Sequence, residues 1–210
     1  MGWPLGMSSV ADLKGHKVGG VAPNTGPTAV LQMALTKAGM TLAAIHGFNV
    51  VGPSQPAALE RDAIEAAISY VPYSAETITA GTSRLITTAS EVYGKTWPGG
   101  GVIVRPEFAK AHPDVVVDVL KLVARAERLL REKPDEAYPA LAKVSKTSLK
   151  NVEYSYQNGL VAPTSVVPDK QAMMEQAKVL ETYHVITVPS IQGFIDELVH
   201  PEFAKQALGQ

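Results

Sequence analysis

Along the first hundred residues, short apolar runs bounded by turn residues alternate with patterns of helical spacing. Lys17–Val21 is a short apolar run behind the turn Lys14-Gly15, and a turn-rich loop, Ala22–Thr28, follows it. Val30, Leu31, Ala34, Leu35 and Ala38 then recur at helical spacing up to Gly39, which predicts a helix with a glycine stop. Ile45–Val51 reads as a second strand, Pro53–Asp62 as a short helix opened by Ser54, and Ile64–Val71 as a third strand. Tyr73–Ala80 reads as a helix stopped by Gly81, and Arg84–Thr88 and Gly101–Val104 as a fourth and fifth strand. Strands that alternate with short helices predict βαβ units and a mainly parallel sheet.

The second half of the chain changes period. Pro113–Glu132 predicts one long amphipathic helix with an apolar stripe of Val116, Val119, Leu120, Val123, Ala126 and Leu130, while Arg125, Glu127, Arg128 and Arg131 fall off the stripe. Pro134–Lys143 predicts a helix with proline in its first turn, and Asp169–Tyr183 one capped by Asp169. Ser190–Val199 and Pro201–Leu208 close the chain, and Tyr156–Pro168 is the most loop-like stretch. There is no internal repeat and no low-complexity tract.

Composition narrows the function classes. The 210 residues carry 19 Lys+Arg against 20 Asp+Glu, a net charge of -1, which argues against a general nucleic-acid binder. The absence of cysteine excludes a disulfide scaffold, a thiolate zinc site and a cysteine nucleophile. The longest stretch without a charged residue, Ala38–Leu59, contains three glycines and two prolines, unlike the roughly 20 helix-compatible apolar residues of a membrane span. Met1–Val10 has no basic start followed by an apolar run, so it does not read as a signal peptide.

Candidate chemistry is sparse. The loop Asn24-Thr25-Gly26-Pro27-Thr28 stands between a strand and a helix. Free backbone N–H groups at such a junction bind anions, and Thr25 and Thr28 add hydroxyls. The same residues also suit an ordinary helix cap with Pro27 in the first turn, and the Gly-Lys-Ser/Thr ending of a P-loop is missing. Tyr70-Val71-Pro72-Tyr73-Ser74 ends a predicted strand, where open α/β sheets bind ligands; a packed strand end is the alternative. The five histidines, His16, His46, His112, His184 and His200, show no metal-ligand spacing, and no serine sits in a Gly-x-Ser-x-Gly setting. Glu107, Asp114, Asp118 and Glu127 read as solvated helix faces. No cofactor and no metal are expected.

The order of these segments resembles a known family. Ala11–Gly20 resembles the "DLKGKKVGV" strand lead-in of ABC-transporter substrate-binding proteins of the sulfonate, taurine, nitrate and thiamine-pyrimidine type. Pro23–Thr28 stands where that family has a Gly/Ser/Thr loop opening a helix. Ala58–Ala66 is similar to its "AL..G.vDA" element, with Asp62 and Glu65 in place of Gly and Asp, and Ile68–Tyr73 to its aromatic-x-Pro step. Ile103–Val116 resembles "vvrkdFaekhPevv", and Lys133–Ala137 resembles "npdeA".

The resemblance implies a type II periplasmic-binding-protein-like α/β fold, with a mainly parallel sheet lobe, flanking helices and a helical C-terminal half. Residues 12–100 would form lobe two, and 101–210 the returning segment of lobe one. Only eleven residues precede Asp12, so the N-terminal half of lobe one, which would carry any signal peptide, is expected to be absent. The implied activity is non-catalytic binding of a small anionic or polar solute for delivery to an ABC permease in the periplasm or outside the cell. Asn24, Thr25, Gly26, Thr28 and Tyr73 would hold the solute, and a homodimer would complete the missing wall. Two other readings stay open: an enzyme of the same fold, of thiamine-pyrimidine-synthesis or desulfinase type, and a stand-alone ligand-sensing module.

Overall fold

The Asp12–Gly15 motif is a turn that delivers the chain into a strand. The Asp12 carboxylate accepts the N–H groups of Ser8 and Ser9, both at 2.8 Å. Gly15 then takes φ +78, a conformation that glycine adopts without steric cost, and donates its N–H to the Ala44 carbonyl at 2.7 Å. In the computed structural model, which describes residues 6–161 and 165–210, the elements in chain order are β1 (Lys17–Gly19), α1 (Gly26–Lys37), β2 (His46–Phe48), α2 (Gln55–Glu60), β3 (Ala66–Ala67), α3 (Tyr73–Thr79), α4 (Ala89–Tyr93), α5 (Pro106–Ala111), α6 (Pro113–Glu132), α7 (Pro134–Val144), α8 (Leu149–Gln157), α9 (Lys170–Thr182), α10 (Ile191–Leu198) and α11 (Pro201–Ala207). They divide into two compact units. The first comprises Met1–Trp97, Ala142–Ala162 and Val179–Thr187, the second Pro98–Leu141, Pro163–Lys178 and Val188–Gln210.

The first unit is built on a parallel sheet of order β2-β1-β3. Val18 of the central strand pairs in register with Gly47 and Ala66. Its side chain belongs to a cluster with Leu13, Leu31, Leu35 and Ile45, under α1. The opposite face carries Ala58, Leu59 and Ile64, backed by Val50 and Ala67. Gly19 points to this second face, where a Cβ would meet Ile64 Cδ1 at 2.5 Å. Leu35 is fully buried, so Leu35→Ala is expected to lower the unfolding free energy by about 3 kcal/mol, measured by urea denaturation.

α2 ends in a Schellman motif, with Asp62 N–H bonded to the Leu59 carbonyl and Ala63 N–H to the Ala58 carbonyl. Asp62 therefore sits at φ +54, which explains why the family pattern has glycine at this position. Asp62→Gly is expected to stabilise the chain by about 0.5–1 kcal/mol, since aspartate is strained in this region, and thermal denaturation reads the change.

The sheet is smaller than the five strands expected from the sequence. Ile45–Val51 contracts to β2 and Ile64–Val71 to β3, because only these residues meet a ladder partner. Arg84–Thr88 and Gly101–Val104 are not strands. The end of the first is used as a helix cap: Thr88 Oγ1 accepts the Glu91 N–H and Glu91 Oε2 accepts the Thr88 N–H, opening α4. The second is exposed and has no ladder partner among the described residues. Pro53–Asp62 shortens to α2, preceded by a 3-10 turn at Gly52–Ser54, and Ser54 makes no side-chain cap.

In the second unit Val116 and Leu120 of α6 pack on Ala204 of α11, with Ala109, Val166, Val167, Phe203 and Ala207 around them. The predicted stripe is rotated: Val117 is buried and Val119 is exposed, because α11 covers the Val116–Leu120 line rather than its flank. Asp169 caps α9 by accepting the Ala172 N–H at 3.0 Å, and Ser190 caps α10. Helix α8 runs through the start of the stretch read as loop, and Ala162–Thr164 lie outside the described residues.

Candidate functional site

Because β1, β2 and β3 run parallel, their carboxyl ends share one edge. The loops after them are residues 20–25, 49–54 and 68–72. In a β2-β1-β3 order the connections leave the central strand to one side and arrive on the other, so the topological switch point, where open α/β sheets bind ligands, falls between the loops after β1 and β3. Asn24 and Thr25 lie on the loop after β1, Gly26 and Thr28 in the first turn of α1 that follows it, and Tyr73 directly after the loop that follows β3.

The loop after β1 is tied by its own threonines. Thr28 is 5% exposed; its hydroxyl donates to the Ala22 carbonyl at 2.7 Å and accepts the Ala22 N–H at 3.1 Å. Thr25 Oγ1 lies 3.0 Å from both the Ala22 carbonyl and Thr28 Oγ1, and accepts the Thr28 N–H at 3.4 Å as the N-cap of α1. Both hydroxyls are thus turned into the loop. The groups left without a partner are backbone ones: no acceptor among the described residues meets the N–H of Asn24, Thr25 or Gly26. Asn24 is exposed at φ +55, a conformation asparagine tolerates. The positive end of the α1 dipole adds to this donor set.

Tyr73 opens α3 and lays its ring on Gly52, in the loop after β2. A Cβ at Gly52 would stand 2.7 Å from ring atoms Cδ2 and Cε2. No hydrogen bond among the described residues joins Tyr73 to the Thr25–Thr28 segment, so these elements occupy the same edge without direct polar contact. Phe48, Val51, Tyr70 and Val71, on the neighbouring strand ends, are exposed. The far end of α3 is fastened to α8: Thr79 Oγ1 donates to Asn151 Oδ1 at 2.5 Å, Asn151 Nδ2 to Thr147 Oγ1 at 2.9 Å, and Thr147 Oγ1 to Glu76 Oε1 at 3.2 Å.

Gln55 was not singled out in the sequence. It is 2% exposed, and its amide Nε2 donates to the Val50 carbonyl at 3.0 Å and the Ile68 carbonyl at 2.7 Å. The signal for it was present: Gln55 shares a helical face with buried Ala58 and Leu59.

At the opposite edge of the sheet, Glu65 accepts the Lys17 N–H at 2.9 Å and lies 3.1 Å from His16 Nδ1. The Lys17 N–H first, and His16 second, hold its carboxyl below the usual glutamate range. A depressed folded-state value gives stability that is present above the unfolded value and lost as pH falls through the folded one. Thermal unfolding below about pH 4.5 is therefore expected to show a shallower pH dependence in Glu65→Gln than in the unsubstituted chain.

An open groove of about 320 Å³ lies between Ser9–Ala11, the C-terminal turn of α1 and α4. Its polar groups are engaged: Lys37 Nζ donates to the Val92 carbonyl and Glu91 caps α4. It lies apart from the carboxyl-end loops. Among the described residues, no three His, Asp or Glu side chains gather as metal ligands do, and no helix is long and apolar enough to cross a membrane.

Comparison with known proteins agrees with this fold. A curated relative, "Putative binding protein BAB2_1146" of Brucella abortus (strain 2308), is 28% identical over 156 residues, which is 73% of this chain and 48% of the relative. The chain thus spans about half the length of the curated relatives it matches. The periplasmic aliphatic sulphonate binding protein SsuA from Escherichia coli superposes with a TM-score of 0.67 at 19% identity, covering 96% of this chain and 61% of that one. The desulfurization enzyme DSZB superposes with a TM-score of 0.63 at 15% identity, covering 96% of this chain and 72% of that one. These structures establish the type II periplasmic-binding-protein fold expected from the sequence, an architecture that carries both binding proteins and an enzyme. A family model described as NMT1/THI5 like matches residues 5–137, and the chain belongs to that family.

Proposed function

We propose that the chain is a solute-binding component of an ABC importer, acting in the periplasm or outside the cell, and that it holds a small anionic solute without transforming it. The observation that carries this reading is the set of N–H groups at Asn24, Thr25 and Gly26 that meet no acceptor among the described residues, beside the β1/β3 switch point. A sulfonate suits the site better than nitrate, because exposed Phe48, Val51, Tyr70 and Val71 offer an apolar surface for an organic tail. Tyr73, braced on Gly52, would flank that tail. The permease is the partner this role requires.

The enzyme reading draws on the likeness to DSZB. Against it, the chain has no cysteine to serve as nucleophile, so incubation with an aryl sulfinate is expected to release no sulfite.

Pairing of two copies of the chain through residues 102–104 is also part of the proposal. Ile103 is 90% exposed, between exposed Val102 and Val104, in a segment without a ladder partner among the described residues, and such an exposed apolar run favours pairing. Native mass spectrometry tests both points in one spectrum. A dimer, or a monomer carrying a small anionic adduct, supports the reading; a bare monomer speaks against it. Ile103→Glu is expected to shift the dimer to monomer.

A further inference from the structure

We infer that Gln55 is a positioning residue that holds the three carboxyl-end loops in one arrangement, an inference that rests on the solute site proposed above. Its amide carries two N–H groups. One is directed to Val50, in the loop after β2, and the other to Ile68, in the loop after β3. The amide can stand only this way round, since the flipped form would set its oxygen against two carbonyl oxygens. The correctly placed oxygen, Oε1, is buried and meets no donor among the described residues. The loop after β1 reaches the same point. Gly20 runs so close that a Cβ there would lie 2.6 Å from the Ile68 carbonyl oxygen and 3.1 Å from Gln55 Nε2.

One buried side chain therefore registers all three loops. Gly20 leads to Ala22, the residue that Thr25 and Thr28 grip. Val50 leads to Gly52, on which the Tyr73 ring rests, and Ile68 leads to Tyr70 and Tyr73. No described hydrogen bond joins a titratable side chain to Gln55. Glu60 and Arg61, at the far end of α2, are exposed, and Glu76 on α3 is engaged by Thr147.

The test compares the unsubstituted chain with Gln55→Leu and Gln55→Glu. Amide hydrogen exchange needs no ligand, and butanesulfonate serves as the binding probe. In Gln55→Glu at pH 8 the carboxylate faces two carbonyl oxygens. Peptides covering residues 20–24, 50–54 and 68–73 are expected to exchange together about tenfold faster than in the parent, while the α1 core peptides hold, and butanesulfonate binding is expected to weaken about tenfold. Lowering the pH to 5 protonates the buried carboxyl, which then donates to one carbonyl, and a several-fold part of the affinity returns. A merely structural glutamine would raise exchange in the α1 core peptides and the three loops alike, with no loosening confined to the loops. Gln55→Leu, which cannot donate at any pH, is expected to show the loosening without recovery.

If butanesulfonate binds the parent chain, and Gln55→Glu binds it equally well at both pH values with unchanged loop exchange, the inference is overturned and the solute reading stands. If the parent does not bind while the three loops still loosen together, the solute reading fails and the coupling of the loops through Gln55 stands.

Discussion

Gly20→Ala is expected to lower the stability of the first unit by about 3 kcal/mol and to abolish solute binding. Two effects add. Gly20 stands at φ +81, where any residue with a Cβ is strained by about 1–2 kcal/mol. The added methyl would also lie 2.6 Å from the Ile68 carbonyl oxygen, a backbone atom that can move only by shifting the loop after β3. Relief by such a shift would break the Gln55–Ile68 hydrogen bond and move the segment that leads to Tyr73. Urea denaturation reads the stability and calorimetry the binding. Gly26→Ala is the control for stability alone: it has open space and an ordinary φ, and its unfolding free energy is expected to be close to the parent's. A Gly20→Ala protein as stable as the parent would show that the loop does not pass Ile68 as described.

Replacing Thr25 and Thr28 together by alanine is expected to cost about 2–4 kcal/mol and to weaken solute binding more than tenfold. The N-cap of α1 alone is worth about 1 kcal/mol. Loss of the Thr28 hydroxyl strips the Ala22 N–H and carbonyl of their partner, at a further 1–3 kcal/mol for groups away from water. Binding falls for an indirect reason. The hydroxyls are turned inward, so their removal deletes no solute contact but frees the loop that aims the Asn24, Thr25 and Gly26 N–H groups. Thr28→Ser keeps the hydroxyl and is expected to retain most of both properties. Unchanged affinity in the double variant would remove the anion loop from the account.

The sequence was most informative where one local signal decides an element. Pro113 and the amphipathic period place α6 at its observed bounds, and Asp169 caps α9 as read. It misled where an apolar run needs a partner to become a strand. Arg84–Thr88 looks β-rich, yet Thr88 and Glu91 form a capping box whose Thr-x-x-Glu spacing marked a helix start. Gly101–Val104 carries three β-branched residues but meets no ladder partner among the described residues. Long-range assembly was not legible at all: nothing local shows that residues 142–162 and 179–187 join the first unit. Within the candidate site, the loop and Tyr73 were legible as a strand-end pattern. The inward turn of the threonine hydroxyls was not, because it depends on the return of the chain past Ala22. Gln55 was hidden for a related reason. Its buried face follows from its spacing to Ala58 and Leu59, but its two acceptors come from separate loops.

The most direct measurement is a ¹H–¹⁵N NMR titration of the chain with butanesulfonate. Even binding near 1 mM, about -4 kcal/mol, moves amide resonances in a saturable way. The account predicts saturable shifts centred on the amides of Asn24, Thr25 and Gly26, with smaller ones at Tyr70 and Tyr73, and their loss in Gly20→Ala. Shifts that fail to saturate, or that centre on the Lys37–Glu91 groove and leave residues 24–26 unmoved, would contradict it.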